Sequence, residues 1–237
     1  MVETVDISAA PSEPVGYPRS HAPRRDTSGG GRGASRKGLY SNGGKRAFDI
    51  LLVLLGAPIV IPLIAMVALL VALDGASPFY RQTRVGRHGR EFRMLKLRTM
   101  VPGADEALAE LIREDPRLAE EWQVNQKLEN DPRITPIGRF LRRVSLDELP
   151  QVWNVLLGDM SLVGPRPIMT SQRDLYDGSA YFEMRPGITG MWQVSARNEG
   201  FLCRVEYDQR YHDGLSFWTD LRLLVQTAVV VARGTGW

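Results

Sequence analysis

Cysteine is nearly absent from this chain: Cys203 is the only one among 237 residues. No internal disulfide and no thiolate-based metal cluster can form, which suits a reducing, cytoplasmic setting. Histidine is scarce as well. His21, His88 and His212 are too scattered for a His-rich metal site and read as ordinary surface or turn positions. No Asp-x-Asp pair occurs anywhere. The glycine run 29–33 has no strand pattern before it and no Gly-Lys-Ser/Thr after it, so it is not a phosphate loop. Excess charge is also missing from most of the chain. Residues 1–46 carry eight Lys/Arg against four Asp/Glu, which leaves 22 basic and 23 acidic groups in the remainder. The net charge of +3 therefore belongs to the N-terminal tail, and no nucleic-acid partner is expected.

What the chain does have is a run of 24 uncharged residues, Ile50 to Leu73, long enough for a membrane helix. It begins too far into the chain for a signal peptide and lacks a cleavage pattern. Pro58 and Pro62 interrupt it, and proline removes a backbone donor and crowds the preceding turn, so a break near Ala57-Pro58 is expected. The flanks are basic on both sides. Arg32, Arg36, Lys37, Lys45 and Arg46 precede the run, and Arg81, Arg84, Arg87, Arg90, Arg93, Lys96 and Arg98 follow it. The positive-inside rule asks for both flanks on the cytoplasmic face. A re-entrant helix–break–helix meets that requirement; a straight span and a buried core helix are the competing readings.

The chain accordingly divides into a disordered basic tail (1–44), a re-entrant membrane anchor (45–74) and a cytoplasmic domain (75–237). The tail is rich in Gly, Ser, Pro and Arg with no apolar period; it reads either as a lipid-touching arm or as a solvated linker. Phe79–Val85 and Glu91–Thr99 read as two strands joined by a turn at 86–89. Period two then places Lys96 and Arg98 on one face, where they suit a diphosphate, lipid phosphates or plain water. Residues 104–128 read as a charged helical excursion with Leu108, Leu111, Ile112, Leu118 and Trp122 turned inward. A short helix, Ile137 to Arg143, ends in Arg142-Arg143. The stretches 185–190 and 192–198 look loop-like. Residues 203–212 and 216–232 read as helices, the second either packed on the core or lying in the membrane interface. The fold class is α+β, a small hairpin or sheet with amphipathic helices.

Residues Ser145 to Pro167, SLDELPQVWNVLLGDMSLVGPRP, carry the densest chemical signal. Asp147 and Glu148 open an amphipathic helix whose buried face is expected to be Leu149, Val152, Trp153, Leu156, Leu157 and Met160. A Pro-Arg-Pro turn then presents Arg166. Carboxylates at a helix start, facing arginines, suit phosphoryl chemistry. Ser145-x-x-Glu148 equally fits a capping box, in which Glu148 only satisfies backbone N–H groups. Both readings stand at this point.

These residues together resemble the bacterial sugar transferases, the monotopic polyprenyl-phosphate hexose-1-phosphate transferases of the exopolysaccharide-initiating type. The resemblance rests on KRAFD (45–49), FYRQTRVGRHGREFRMLKLRTM (79–100), NDPRITPIGRFLRRVSLDELPQVWNVLLGDMSLVGPRP (130–167), RPGITGMWQVSARN (185–198) and the 208–220 region. It implies transfer of a sugar-1-phosphate from a UDP-sugar to undecaprenyl phosphate, with UMP released and Mg²⁺ (or Mn²⁺) as cofactor. It implies Asp147 as the nucleophile that becomes an aspartyl-phosphosugar, and Glu148 as metal ligand or proton handler beside it. It implies phosphate-binding roles for Lys96, Arg98, Arg142, Arg166 and Arg197, and supporting acidic roles for Asp208 and Asp220. The implied setting is monotopic on the bacterial inner membrane, catalytic domain toward the cytoplasm, among membrane lipids and downstream glycosyltransferases. Ala57 and Ala196 stand where the family pattern commonly has Ser and Gly. Two other readings compete: a nucleotide-sugar glycosyltransferase, which the missing Asp-x-Asp disfavours, and a non-enzymatic membrane-anchored scaffold in which Asp147-Glu148 is only a helix cap.

Overall fold

The computed structural model describes residues 39–125, 128–195 and 201–233. The tail before residue 39 and Arg197 lie outside them. The folded part starts earlier than the boundary placed at 44: Tyr40–Gly44 forms a π-helical turn, and the Tyr40 hydroxyl donates to Asp220 at 2.7 Å.

Helix α1, Lys45–Ala72, is 28 residues and about 40 Å long. Pro58 and Pro62 both lie inside it without interrupting the helical assignment, so the expected helix–break–helix is a single helix here. Proline deletes one donor, but the flanking turns keep their own hydrogen bonds, and apolar helices tolerate this. Only 11% of its most apolar stretch is buried against the protein, which rules out the core-helix reading. Leu54, Leu55, Ile59, Ile61, Leu69 and Leu73 all stand exposed. Its two ends, by contrast, are docked. Near the N-terminus, Val53 packs with Phe92, Met94, Val155 and Met160. Buried Asp49 accepts from the Ser161 hydroxyl (2.7 Å) and the Leu162 N–H (3.1 Å). Near the C-terminus, Val67, Ala68 and Val71 pack with Leu97 and Leu141.

Strands β1 (Phe79–Val85) and β2 (Glu91–Leu97) form an antiparallel hairpin in the register Phe79↔Leu97 to Val85↔Glu91. Helices α2 (Ala104–Glu114) and α3 (Pro116–Asn125) form the excursion. Its predicted inward residues are only half-buried. Helix α4, Pro136–Arg143, is capped by the Thr135 hydroxyl. After it come a 3₁₀ stretch, Leu146–Gln151, and α5, Val152–Leu157.

The segment expected to be loop-like at 185–190 contains a strand. β4 (Gly187–Thr189) pairs in parallel with β3 (Ser161–Val163). Glycine is required there: a Cβ on Gly187 would lie 2.1 Å from the Gly164 nitrogen, and one on Gly164 2.4 Å from the Arg185 carbonyl oxygen. Glycines needed for close backbone approach look like turn signals in sequence. Residues 192–195, also expected as loop, belong to α7 (Met191–Ser195). Helices α6 (Ser179–Glu183), α8 (Arg204–Asp213) and α9 (Phe217–Ala232) lie in the C-terminal part of the described residues. Helix α9 packs on the core, with Leu223 buried beside Val163 and Tyr211, while Trp218, Val225 and Val229 are exposed.

Candidate active site

The acidic pair sits on a turn tighter than an α-helix. Ser145 adopts a left-handed conformation (φ 55°), and the chain then runs as 3₁₀ helix through Leu146–Gln151 with Pro150 inside. Three residues per turn instead of 3.6 shifts the phase of everything downstream. The predicted buried face is therefore corrected. Gln151, Asn154, Val155 and Met160 are buried, whereas Trp153 and Leu157 are exposed. The Ser145 half of the capping box is not made, because Ser145 makes no side-chain capping hydrogen bond. The Glu148 carboxylate accepts from Lys96 Nζ at 2.8 Å.

Asn154 brings the two elements together. Its Oδ1 accepts from the Leu95 N–H (3.0 Å), and its Nδ2 donates to the Arg93 carbonyl (2.8 Å). The amide thus pairs with the free edge of β2 as a neighbouring strand would, and pins the acidic turn beside Lys96. Lys96 Nζ lies 3.8 Å from Asp147 and 2.8 Å from Glu148, and Arg166 Nη1 lies 3.7 Å from Glu148. Lys96, Glu148, Gln151 and Arg166 line one recess with Arg84, Met94 and Gly187.

Asp147 is 7% exposed. Burial pushes its carboxyl above the usual aspartate range; Lys96 and Arg142 pull it back and Glu148 pushes it further up. Arg142 is itself fixed by donating from Nε to the Thr99 hydroxyl at 2.9 Å.

Four of the expected site residues are thus gathered (Lys96, Asp147, Glu148 and Arg166), and the charge of Arg142 also acts on Asp147. The others lie elsewhere. Arg98 follows the end of β2, so period two no longer governs it. Its guanidinium grips Asp74 at 2.6 and 2.7 Å and donates to the Val71 and Ser77 carbonyls, closing the C-terminal end of α1. Asp220 is fully buried and accepts from Tyr40, Lys45 (2.5 Å) and Tyr211 (2.6 Å), a clasp at the other end of α1. Asp208 accepts from the Tyr176 hydroxyl at 2.6 Å, and burial raises its carboxyl to about 6. Pro58 lies inside α1, and Arg197 outside the described residues. Arg84 and Asn154 were not singled out by sequence reasoning. Arg84 counted only as a flanking charge, and Asn154 sat inside an apparently apolar helix face.

Residues 40–234 match the sequence profile described as bacterial sugar transferase. The chain belongs to that family. Among bacterial sugar transferases it is 45% identical over 195 residues to the UDP-galactose-lipid carrier transferase of Erwinia amylovora. It is 43% identical over 197 residues to the exopolysaccharide production protein ExoY of Rhizobium meliloti. It is 46% identical over 195 residues to the undecaprenyl-phosphate galactose phosphotransferase of Salmonella typhimurium. Each match covers 81% of this chain. It covers 87% of ExoY but only 41% of the other two proteins, so the chain spans about two-fifths of their length.

Proposed function

We propose that this bacterial sugar transferase moves a sugar-1-phosphate from a UDP-sugar to undecaprenyl phosphate, giving undecaprenyl-diphosphosugar and UMP as the initiating step of exopolysaccharide or other glycoconjugate synthesis. The observation that carries the reading is the buried Asp147 beside Glu148, with Lys96 bridging both and Arg166 at the same recess. In the first step the ionised Asp147 attacks the phosphorus next to the sugar. An aspartyl O–P bond forms, the P–O–P bridge breaks, and UMP leaves with the electron pair. In the second step a phosphate oxygen of the lipid attacks the same phosphorus and Asp147 is released. Lys96 and Arg166 neutralise the charge that shifts onto the bridging and terminal oxygens, which is most of what phosphoryl transfer asks of a protein.

Mg²⁺ typically rests on one or two carboxylates plus substrate phosphates, and this pair fits that pattern. No larger cluster of metal-binding side chains occurs among the described residues. Glu148, with Asp147 beside it, would hold the ion, which would supply charge neutralisation on the diphosphate.

The anchor is read as monotopic, an unbroken helix held against one membrane face in place of the expected helix–break–helix. Both ends of α1 are tied to one folded body, Lys45 and Asp49 at one end and Val71 at the other, while the apolar middle is left for lipid. A straight span would need its ends on opposite faces. The bacterial inner membrane with the catalytic domain toward the cytoplasm is the setting this implies, with downstream glycosyltransferases taking the product.

The test is UMP release by purified protein in lipid nanodiscs supplied with a panel of UDP-sugars, Mg²⁺ and undecaprenyl phosphate. Turnover with at least one UDP-sugar is expected. No UMP from any donor would leave the scaffold reading in possession.

A further inference from the structure

The recess beside Glu148 has a basic wall of which the reaction above uses only Arg166. Arg84, on β1, lines it together with Arg166. Arg84 Nη1 donates to the Pro167 carbonyl at 3.2 Å, so its guanidinium is tied to the backbone that carries Arg166. Its Nη2 donates to Gln82, and its Nε is shielded from solvent with no hydrogen-bond partner. Arg204, the first residue of α8, stacks over the Trp192 ring at 4.3 Å and near the Phe201 ring at 5.1 Å. Its Nε is likewise buried and unpartnered.

Val85 and Ile168, the chain neighbours of Arg84 and Pro167, pack with Phe201 and with Val205, the chain neighbour of Arg204, which brings the three guanidiniums to one side of the fold, where their like charges repel. Burial, and then the charge of Arg166, lower both Arg84 and Arg204 to about 10. Neither makes an ion pair with a carboxylate among the described residues. The acids that face them are already engaged: Glu148 with Lys96 and Arg166, Asp208 with Tyr176. Desolvated like charges are costly unless an anion offsets them. A forked, aromatic-backed guanidinium with a free N–H suits phosphate oxygens in particular.

We propose that Arg84 and Arg204, with Arg166, form a binding site for a phosphoester dianion, so that Arg84 and Arg204 are substrate-binding residues of the transfer reaction. The proposal rests on the function given above, which offers two sources for that group: the nucleotide phosphate that leaves as UMP and the phosphate of the polyprenyl acceptor.

The experiment uses the full chain in nanodiscs, with Arg84→Gln, Arg204→Gln and the charge-keeping Arg84→Lys. Binding of UMP is followed by calorimetry, and binding of undecaprenyl phosphate by partition between loaded and empty nanodiscs. Loss of a charge-assisted hydrogen bond predicts Kd raised about tenfold or more in the Gln variants, with partial recovery in Arg84→Lys. Weakening confined to UMP assigns the site to the nucleotide phosphate; weakening confined to undecaprenyl phosphate assigns it to the acceptor. Wild-type affinity for both ligands in both Gln variants would overturn the proposal. If a Gln variant does not fold, phenylglyoxal labelling of the wild-type protein decides. UMP or undecaprenyl phosphate should protect Arg84 and Arg204, and labelling unchanged by either ligand would count against the site. Both readouts measure binding alone, so absence of turnover would refute the transferase reading without touching this one.

Discussion

Asn154 is the residue on which the geometry of the acidic pair most depends, although it touches no substrate in the proposed reaction. It is 2% exposed, and its amide satisfies both the Leu95 N–H and the Arg93 carbonyl on the free edge of β2. Asn154→Ala orphans both groups. A buried donor or acceptor left unpaired costs about 1–3 kcal/mol, so the loss of both should destabilise by about 2–6 kcal/mol. Asn154→Asp is the sharper test, being nearly the same shape. It keeps an acceptor for Leu95 but turns an oxygen toward the Arg93 carbonyl and adds a buried charge close to Asp159. The near-isosteric Asp should therefore be at least as damaging as Ala. Unfolding in detergent followed by tryptophan fluorescence gives the stability, and UMP release at a temperature where both variants remain folded gives the chemistry. Because the turn that holds Asp147 is pinned through this amide, kcat should fall in both variants. An Asn154→Asp protein as stable and active as wild type would refute the claim that strand-edge pairing positions the site.

Four further expectations follow. Lys96→Met should cut turnover by roughly 10²–10³ and move the acid limb of the rate profile to higher pH. The Lys96 charge is what pulls the Asp147 carboxyl down; Arg98→Ala should instead loosen the anchor and leave UMP release in folded protein largely intact, and loss of that chemistry without loss of stability would return Arg98 to the phosphate site. Asp208 carries a folded value of about 6, raised by burial, so its contribution to stability is fully present below about pH 4 and lost as pH rises through 6. Asp208→Asn should remove that pH dependence and gain on the order of 1–3 kcal/mol at pH 7.5; an unchanged stability profile by denaturant titration would contradict the buried-carboxyl account. Cysteines introduced at 40 and 87 in a Cys203→Ser background should both react with a membrane-impermeant thiol reagent only after the inner membrane is opened, and periplasmic labelling at 40 alone would show a span.

The hairpin, the short helix before the acidic pair, the last two helices and the acidic pair itself could be read from the chain, because period, turn residues and a dense motif agree there. Four features could not. The strand at Gly187–Thr189 is hidden because glycines demanded by contact with Gly164 mimic turn signals. The buried face after Asp147 was misplaced because Pro150 and the 3₁₀ turn change the helical phase, which makes Asn154 core and Trp153 surface. The separation of Arg98 from Lys96 was invisible because the strand ends between them, at Leu97, and only the fold brings Asp74 and the end of α1 within reach of the guanidinium. Arg84 and Arg204 lie 120 positions apart in the chain, so no local pattern could pair them.

Covalent catalysis by Asp147 is the central claim, and it has a direct measurement. The protein is incubated with Mg²⁺ and the productive UDP-sugar, without lipid phosphate, then digested and examined by mass spectrometry. The account predicts UMP release up to one equivalent and one sugar-phosphate added to the peptide containing Asp147, discharged when undecaprenyl phosphate is supplied. Asp147→Asn, folded and inserted, should show neither UMP nor adduct. No adduct in a turnover-competent wild type, or an active Asp147→Asn, would contradict the claim and leave direct attack by the lipid phosphate as the mechanism.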